Sequence, residues 1–340
     1  MLYLYTLTST PNDLYYEQFL LSAFSLKKIM PNADIILLCD SATKDTLVNN
    51  RNEHSKYIKE TISVDVPAGF SQVEISRWVR TSMRCLVKGD FLFLDGDTIV
   101  TDDLSSIANL NIKFASCLDK HLLLDSHPKK NSIIKKDKKL KFDSHKSNTH
   151  YNGGVLFCAD TPEVHKIFDR WHELWLYSKS KKTVRDQPAL NMAIQENLSS
   201  FTELDGSWNC QIAHNGLPWL SCSKIIHYFA TDMVFNESPF LLGQNEIFKE
   251  IKRTGVINEQ TIALLNNPRG AFALKSQIIA GKDMLYVVNS SLFQFLFLVK
   301  KRLPFIYYFY NSIFTFVKNV LKSIIIKFNK KSKKANLIYN

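Results

Sequence analysis

Three short runs of uninterrupted apolar residues constrain the fold most: IILLC at 35–39, FLFL at 91–94 and the GGVLFC segment at 153–158. None alternates polar with apolar residues, so each fits a strand covered on both faces rather than one facing water. Between them lie segments with helical spacing. Residues 14–29 (LYYEQFLLSAFSLKKI) form one, ending before Pro31. Within 72–88, Ile75, Val79, Met83 and Leu86 share a face, and within 163–178 Ile167, Trp171 and Leu174 point inward. A first strand over 2–7, broken by TSTPND, a strand over 61–66 and one near 112–118 complete the series. Strands alternating with helices predict an α/β fold with a mainly parallel central sheet. With 340 residues, 45% of them apolar, the chain has ample material for a core; disorder, a collagen-like chain and a disulfide scaffold are excluded.

The formal charge of +11 invites a nucleic-acid reading, but its placement does not support one. Residues 284–340 hold nine Lys, one Arg and no acid, which leaves 33 basic against 32 acidic side chains in the rest. The charge belongs to an aromatic tail. Its uncharged run, 303–317, has 15 residues and contains Pro304. That is short of the ~20 that a spanning helix needs. Ile313, Val317, Val320 and Ile324 follow helical spacing with Lys318 and Lys322 on another side, the pattern of a helix lying in an anionic membrane interface. An ordinary helix packed on the core is the plainer alternative. The parts are thus 1–230 as a catalytic domain, 231–283 as a helical region and 284–340 as a membrane-associating tail. Six cysteines without a CxxC pair predict reduced, buried thiols. The N-terminus reads as a strand, not a signal peptide, so a cytoplasmic site is expected. The stretch 128–147, with eight Lys, reads as a long exposed loop, either simply solvated or in contact with a phosphate-bearing substrate.

Chemistry concentrates in a few places. FLFL runs straight into Asp95-Gly96-Asp97. In extended chain, residues i and i+2 point the same way, so two carboxylates converge past a strand's C-terminal end, where open α/β sheets bind ligands. Such a pair suits a hard divalent cation, and Gly96 allows a ligand close approach. A simple Asp-Gly turn is the alternative. Tyr151-Asn152-Gly153-Gly154 opens the next strand with backbone exposed to a ligand, or is a plain turn. Asp186-Gln187 opens a helix with Pro188 near its start; Asp186 is a good N-cap, or the pair holds sugar hydroxyls. His227 in KIIHYFA is a core histidine or a ligand. Arg77, Arg80 and Arg84 form one stripe on the 72–88 helix, a solvated face or a clamp on a pyrophosphate.

The order of these elements resembles the GT-A nucleotide-sugar glycosyltransferases. Within them it is similar to glycosyltransferase family 8, the retaining enzymes that include bacterial lipopolysaccharide and capsule types. The resemblance rests on YYEQ at 15–18, SRWVR, FLFLDGD, YNGG, RDQPALN, LDGSWN and IIHYF, and spans roughly residues 1–230. It implies a GT-A, Rossmann-like sheet with a C-terminal helical extension. It also implies that Asp95, Asp97 and His227 hold the metal. Asn152-Gly153-Gly154 would meet the donor sugar, with Gly in place of the family's Ala, and Asp186-Gln187 would sit near the transferred sugar. Arg77 would bind the donor, and Thr8 and Tyr16 would lie in the base loop. The chain departs from the family after His227, where HYFATDMVFNESPF lacks the usual Gly and Lys-Pro-Trp. The lysine that neutralises the leaving diphosphate is therefore unassigned, with Arg80 or a Lys of 128–141 as substitutes.

The implied activity is metal-dependent transfer of a hexose from a UDP-sugar to a surface-glycan or lipid-linked acceptor, with retention. Carboxylates plus imidazole favour Mn²⁺ over Mg²⁺. No nucleic-acid partner is expected. The enzyme is expected to lie peripherally on the inner face of the membrane. Two alternatives remain: a haloacid-dehalogenase-type phosphatase using Asp95 and Asp97, and a non-enzymatic basic membrane adaptor.

Overall fold

The computed structural model describes residues 1–229, 239–273, 287 and 290–336, the part from 322 onward by backbone alone. The segment after His227 that departs from the family pattern, at 230–238, lies outside the described residues, as do the side chains of Lys322 and Ile324. Residues Met1–Ile279 form one compact unit and Ala280–Asn340 a second.

The first unit opens with β1 (Leu2–Leu7), α1 (Tyr15–Ile29), β2 (Ile35–Asp40), the short α2 (Ser41–Asp45) and β3 (Glu60–Val64). Then come α3 (Gln72–Thr81), α4 (Met83–Leu86), β4 (Phe91–Leu94), β5 (Thr98–Val100), β6 (Phe114–Cys117) and α5 (Lys130–Leu140). The remainder is β7 (Val155–Cys158), α6 (Pro162–Ser180), α7 (Gln187–Glu196), β8 (Phe201–Leu204), β9 (Cys210–Gln211), β10 (Ile225–His227), α8 (Asn245–Thr254) and α9 (Glu259–Leu264).

Among the described residues, seven strands form a sheet in the order β3-β2-β1-β4-β7-β6-β8. All neighbours are parallel except β7, which runs antiparallel to both β4 and β6. This is the mixed, mostly parallel α/β sheet that the apolar runs predict, with a GT-A-like arrangement. The runs are buried at every position in β2, β4, β6 and β7. The reason is visible in β4: Leu92 and Leu94 pack with Phe19 and Leu20 of α1 on one side, while Phe91 and Phe93 pack with Phe168 and Trp171 of α6 on the other. A smaller sheet, β5-β10-β9, stands beside it.

Some elements differ from expectation. The helix expected over 72–88 is two helices, because Thr81 and Ser82 turn their hydroxyls back onto the carbonyls of Arg77 and Trp78. Such side-chain bonds compete with continued helix. The strand expected at 61–66 is Glu60–Val64. The Lys-rich stretch is not simply an exposed loop: α5 lies within it, burying Ile133, Asp137 and Leu140 at i, i+4 and i+7 and turning Lys135, Lys138 and Lys139 outward. Cys85 and Cys222 are exposed, against the expectation of buried thiols, whereas Cys39, Cys117, Cys158 and Cys210 are buried.

Within 239–273, α8 places Phe248 and Ile251 in the same core as Tyr228 and Phe240. In the second unit, Ser291–Arg302 and Pro304–Asn336 are helices. Among the described residues, no helix is long and apolar enough to cross a membrane.

Candidate active site

Backbone pairing, not sequence proximity, assembles the site. β4 ends at Leu94, opposite Val155 of β7, and the Asp95 amide donates to the Gly154 carbonyl at 2.8 Å. The chain then turns through Gly96 and Asp97 and enters β5, where Thr98 pairs with His227 of β10. The Tyr228 amide donates to the Asp97 carbonyl at 3.2 Å. The Asp95–Asp97 turn thus links the large sheet to the small one, and His227 arrives from the strand alongside. One ligand atom from each of Asp95, Asp97 and His227 lies within 4.8 Å of the others.

His227 is 3% exposed and its orientation is determined. Its Nδ1 sits 3.0 Å from Asn209 Oδ1. The Asn209 amide nitrogen donates to Asn152 Oδ1 at 3.0 Å, which identifies the atom facing His227 as an oxygen and makes Nδ1 the donor. Asn152 Oδ1 also accepts from the Gly154 amide, and Asn152 Nδ2 donates to Asp119 Oδ1 at 2.9 Å. His227 Nε2 is therefore left facing Asp97 Oδ1 at 3.2 Å. Two acceptors at that distance repel unless a proton or a cation joins them. Burial disfavours charge on His227, but Asp97 and Asp95 raise its pKa overall. Burial and Asp97 raise that of Asp95, against the pull of Arg80 and His227. The donor set, two carboxylates and an oriented imidazole, fits a divalent metal such as Mn²⁺ or Mg²⁺, with an outer shell of the kind that aligns metal-bound histidines.

Gly154 is needed for this geometry. A Cβ there would lie 2.4 Å from His227 Cε1 and 2.9 Å from Asp95 Oδ2. Gly153 is tight against Leu190 and Arg80, at 3.1 and 3.2 Å. A Cβ at Gly96 would make only ordinary 3.5 Å contacts with Phe19.

Asp186 does not cap α7. Its carboxylate has no cap hydrogen bond and instead pairs with Arg77 Nε at 3.0 Å and Arg80 Nε at 3.7 Å. Gln187 Nε2 donates to the Tyr151 carbonyl at 3.1 Å. Arg80 is mostly buried over the Phe93 ring, pairs with Asp95 at 3.3 Å and donates to the Gly153 carbonyl. Burial opposes its charge, and Asp95, Asp186 and Asp97 restore it, so its pKa is raised. The expected arginine stripe is not a solvated face. Arg84 turns into the core, donates to the carbonyls of Val87 and Gly89 and lies over Phe91. The break at Ser82 separates it from Arg77 and Arg80.

Tyr16 is fully buried, with its hydroxyl 3.4 Å from His54 Nδ1 and Arg51 over its ring, so its ring stands behind the β1–α1 loop rather than in it. Thr8 is half-buried, and its Oγ1 has no hydrogen-bond partner among the described residues. Asn209 and Asp119 escaped the sequence reading as site residues. Both had a signal: Asn209 closes LDGSWN, and Asp119 follows an apolar strand much as Asp95 does.

Residues 89–232 match the family model described as Glycosyl transferase family 8. Over that segment the chain is similar to family 8, and it is a glycosyltransferase. The phosphatase and adaptor alternatives fall with that match. No curated protein sequence matches the transferase. Among solved structures, the apo form of the bifunctional glycosyltransferase WbbM superposes with a TM-score of 0.51 at 14% identity, over 78% of this chain and 51% of that one. The transferase thus spans about half the length of WbbM. The galactosyltransferase LgtC, in complex with donor and acceptor sugar analogues, gives 0.49 at 16% identity, over 77% and 99%. GlyE of Streptococcus pneumoniae TIGR4 gives 0.46 at 17% identity, over 82% and 66%. At 14% identity the likeness to WbbM establishes the GT-A fold. The transferase also has the Asp-Asp-His cluster suited to a divalent ion.

Proposed function

We propose that the enzyme moves a hexose from a UDP-sugar to a surface-glycan or lipid-linked acceptor, with retention, using Mn²⁺ held by Asp95, Asp97 and His227. The observation that carries this reading is the convergence of those three side chains, with His227 aimed by Asn209. The bound ion would supply Lewis-acid neutralisation of the diphosphate that departs. Arg80 keeps Asp95 and Asp186 in register, acting as a positioning residue. Arg77, more exposed than Arg80, adds guanidinium donors toward the diphosphate. Asn152, Gly153 and Gly154 present backbone and amide groups to the donor sugar. Asp186 and Gln187 hold its hydroxyls and stabilise positive charge near the anomeric carbon. Thr8 offers an unused hydroxyl to the base, and Tyr16 supports that loop from beneath. A screen of nucleotide sugars for Mn²⁺-dependent hydrolysis tests the donor. Turnover of a UDP-hexose that stops in EDTA is expected; full activity in EDTA removes the metal, and inertness toward every nucleotide sugar removes the reading.

The division into 1–230, 231–283 and 284–340 belongs to the same proposal, with the tail seating the enzyme on the inner face of the membrane. What supports it is the pattern on the Pro304–Asn336 helix. At 100° per residue, Phe309, Ile313, Phe316, Val317 and Val320 share one side, and Asn311, Thr315 and Lys318 the other. Phe309 and Phe316 are 64% and 70% exposed. Removal of residues 284–340 is expected to shift the enzyme off anionic liposomes; indifference of the full-length chain to such liposomes ends this part.

A further inference from the structure

We infer that the cavity beside Gln187 is a subsite for an oxyanion carried by the acceptor, a phosphate monoester or a carboxylate. The inference rests on the glycosyltransferase reading, since it names the acceptor class for the same site. The cavity encloses about 100 Å³, room for such a group, and its lining residue Asn152 is linked through Asn209 to His227. Its charged lining consists of Lys120, Lys129, Lys136 and Arg185 against only Asp119 and Asp137.

Asp119 is engaged through both oxygens and Asp137 through one, its Oδ1 being buried without a hydrogen-bond partner among the described residues. Asp119 accepts from His127 at 3.0 Å and from Asn152 at 2.9 Å. Asp137 accepts from Ser144 at 2.7 Å and pairs with His145 at 3.0 Å, both through Oδ2. No carboxylate among the described residues pairs with Lys136 or Arg185. Burial lowers the Lys136 pKa, and the charges of Arg185 and Lys129 lower it further. An anion between these cations relieves that repulsion, which is the physical basis of attraction.

A second observation points the same way. His150 lines the cavity at 5% exposure, and its Nδ1 has no hydrogen-bond partner among the described residues. Burial holds its pKa down to about 4, so it is neutral at pH 7 and offers a hydrogen-bonding nitrogen rather than a charge. A buried, unused nitrogen beside a cluster of cations is what a hydrogen-bonded oxyanion requires.

The test uses the full-length chain with saturating Mn²⁺ and UDP, titrated with glucose 6-phosphate, glucuronate and glucose and followed by ligand-observed NMR. At least one anion is expected to bind about tenfold more tightly than glucose. Binding of the phosphate alone, the carboxylate alone or both identifies which oxyanion the cavity takes. The Lys136→Gln/Arg185→Gln double variant is expected to lose the advantage while melting within a few degrees of wild type; Arg185→Gln alone, at an exposed position, should lose part of it. Equal affinity for glucose, or an advantage unchanged in a folded variant, overturns the inference. So does anion binding seen only without UDP, which would give the cavity to the leaving diphosphate. Failure of UDP and Mn²⁺ to bind would instead count against the donor reading, and the same titration on the metal-free chain would still decide the cavity.

Discussion

Asp95 and Asp119 stand beyond the ends of β4 and β6, the two strands that flank β7, and their surroundings drive them in opposite directions. Burial and Asp97 raise the pKa of Asp95, despite Arg80. Burial also pushes Asp119 upward, but the His127 hydrogen bond and the charge of Lys120 outweigh it and hold the carboxyl well below the usual range. Burial alone therefore does not set the sign; the nearest partners do. Asp95 faces another carboxylate and a histidine, an electronegative corner that a cation completes. Asp119 sits among bases, beside a cavity that an anion completes. The segment 150–154 joins the two: His150 accepts from the Asp119 amide, Asn152 donates to its carboxylate, and Gly154 accepts from Asp95.

The largest expected effect separates these corners directly. Asp95→Asn and Asp97→Asn should each lower Mn²⁺-dependent nucleotide-sugar turnover by about a thousandfold or more. Asp119→Asn should lower it far less, since Asp119 touches none of the three metal ligands and reaches His227 only by way of Asn152 and Asn209. Equal losses at Asp95 and Asp119 would break the comparison. Next come the glycines. Gly154→Ala should weaken Mn²⁺ affinity by about a hundredfold, because its methyl displaces the His227 ring, whereas Gly96→Ala should change it by no more than about threefold. Electron paramagnetic resonance of Mn²⁺ reads both. Asn209→Ala should cost about ten- to a hundredfold in Mn²⁺ affinity, with turnover recovering at excess metal, as befits a residue that aims a ligand. Loss that excess metal does not restore would deny it that role.

The smallest effects concern the stability of the metal-free chain, read as melting temperature in EDTA. Asp95 has a raised folded pKa. Its contribution favours the fold below the unfolded value of about 3.9 and is lost as pH rises through the folded value. Asp95→Asn should therefore melt a few degrees above wild type at pH 7, the gap closing toward pH 4. Asp119 has a depressed folded pKa, so its contribution is present above about 3.9 and lost as pH falls toward the folded value. Asp119→Asn should melt below wild type at pH 7, with the difference shrinking under pH 4. Shifts of the same sign in both variants would contradict the opposed environments.

Much of the fold was legible because it rests on local signals. FLFL and IILLC are apolar at every position because helices cover both faces of their strands. The α5 helix was not legible: the lysines that dominate 128–147 hide three inward positions, one of them Asp137, which is buried through its bonds to Ser144 and His145. In the site, the Asp95–Asp97 turn reads directly from the chain. Asp186 reads as a cap, but two arginines one helical turn apart in α3 take its carboxylate.

The sequence by itself determined the alternation of strands and helices, the acidic turn at the end of β4 and the confinement of excess positive charge to residues 284–340. Each depends on neighbours within a few residues or on simple counting. Tertiary structure decided which nitrogen of His227 faces Asp97, which arginines are buried, and that Lys136 and Arg185 share a cavity with His150. Those outcomes depend on strands and helices distant along the chain coming within hydrogen-bond reach, and on burial that strengthens the interactions between charges once water has been excluded.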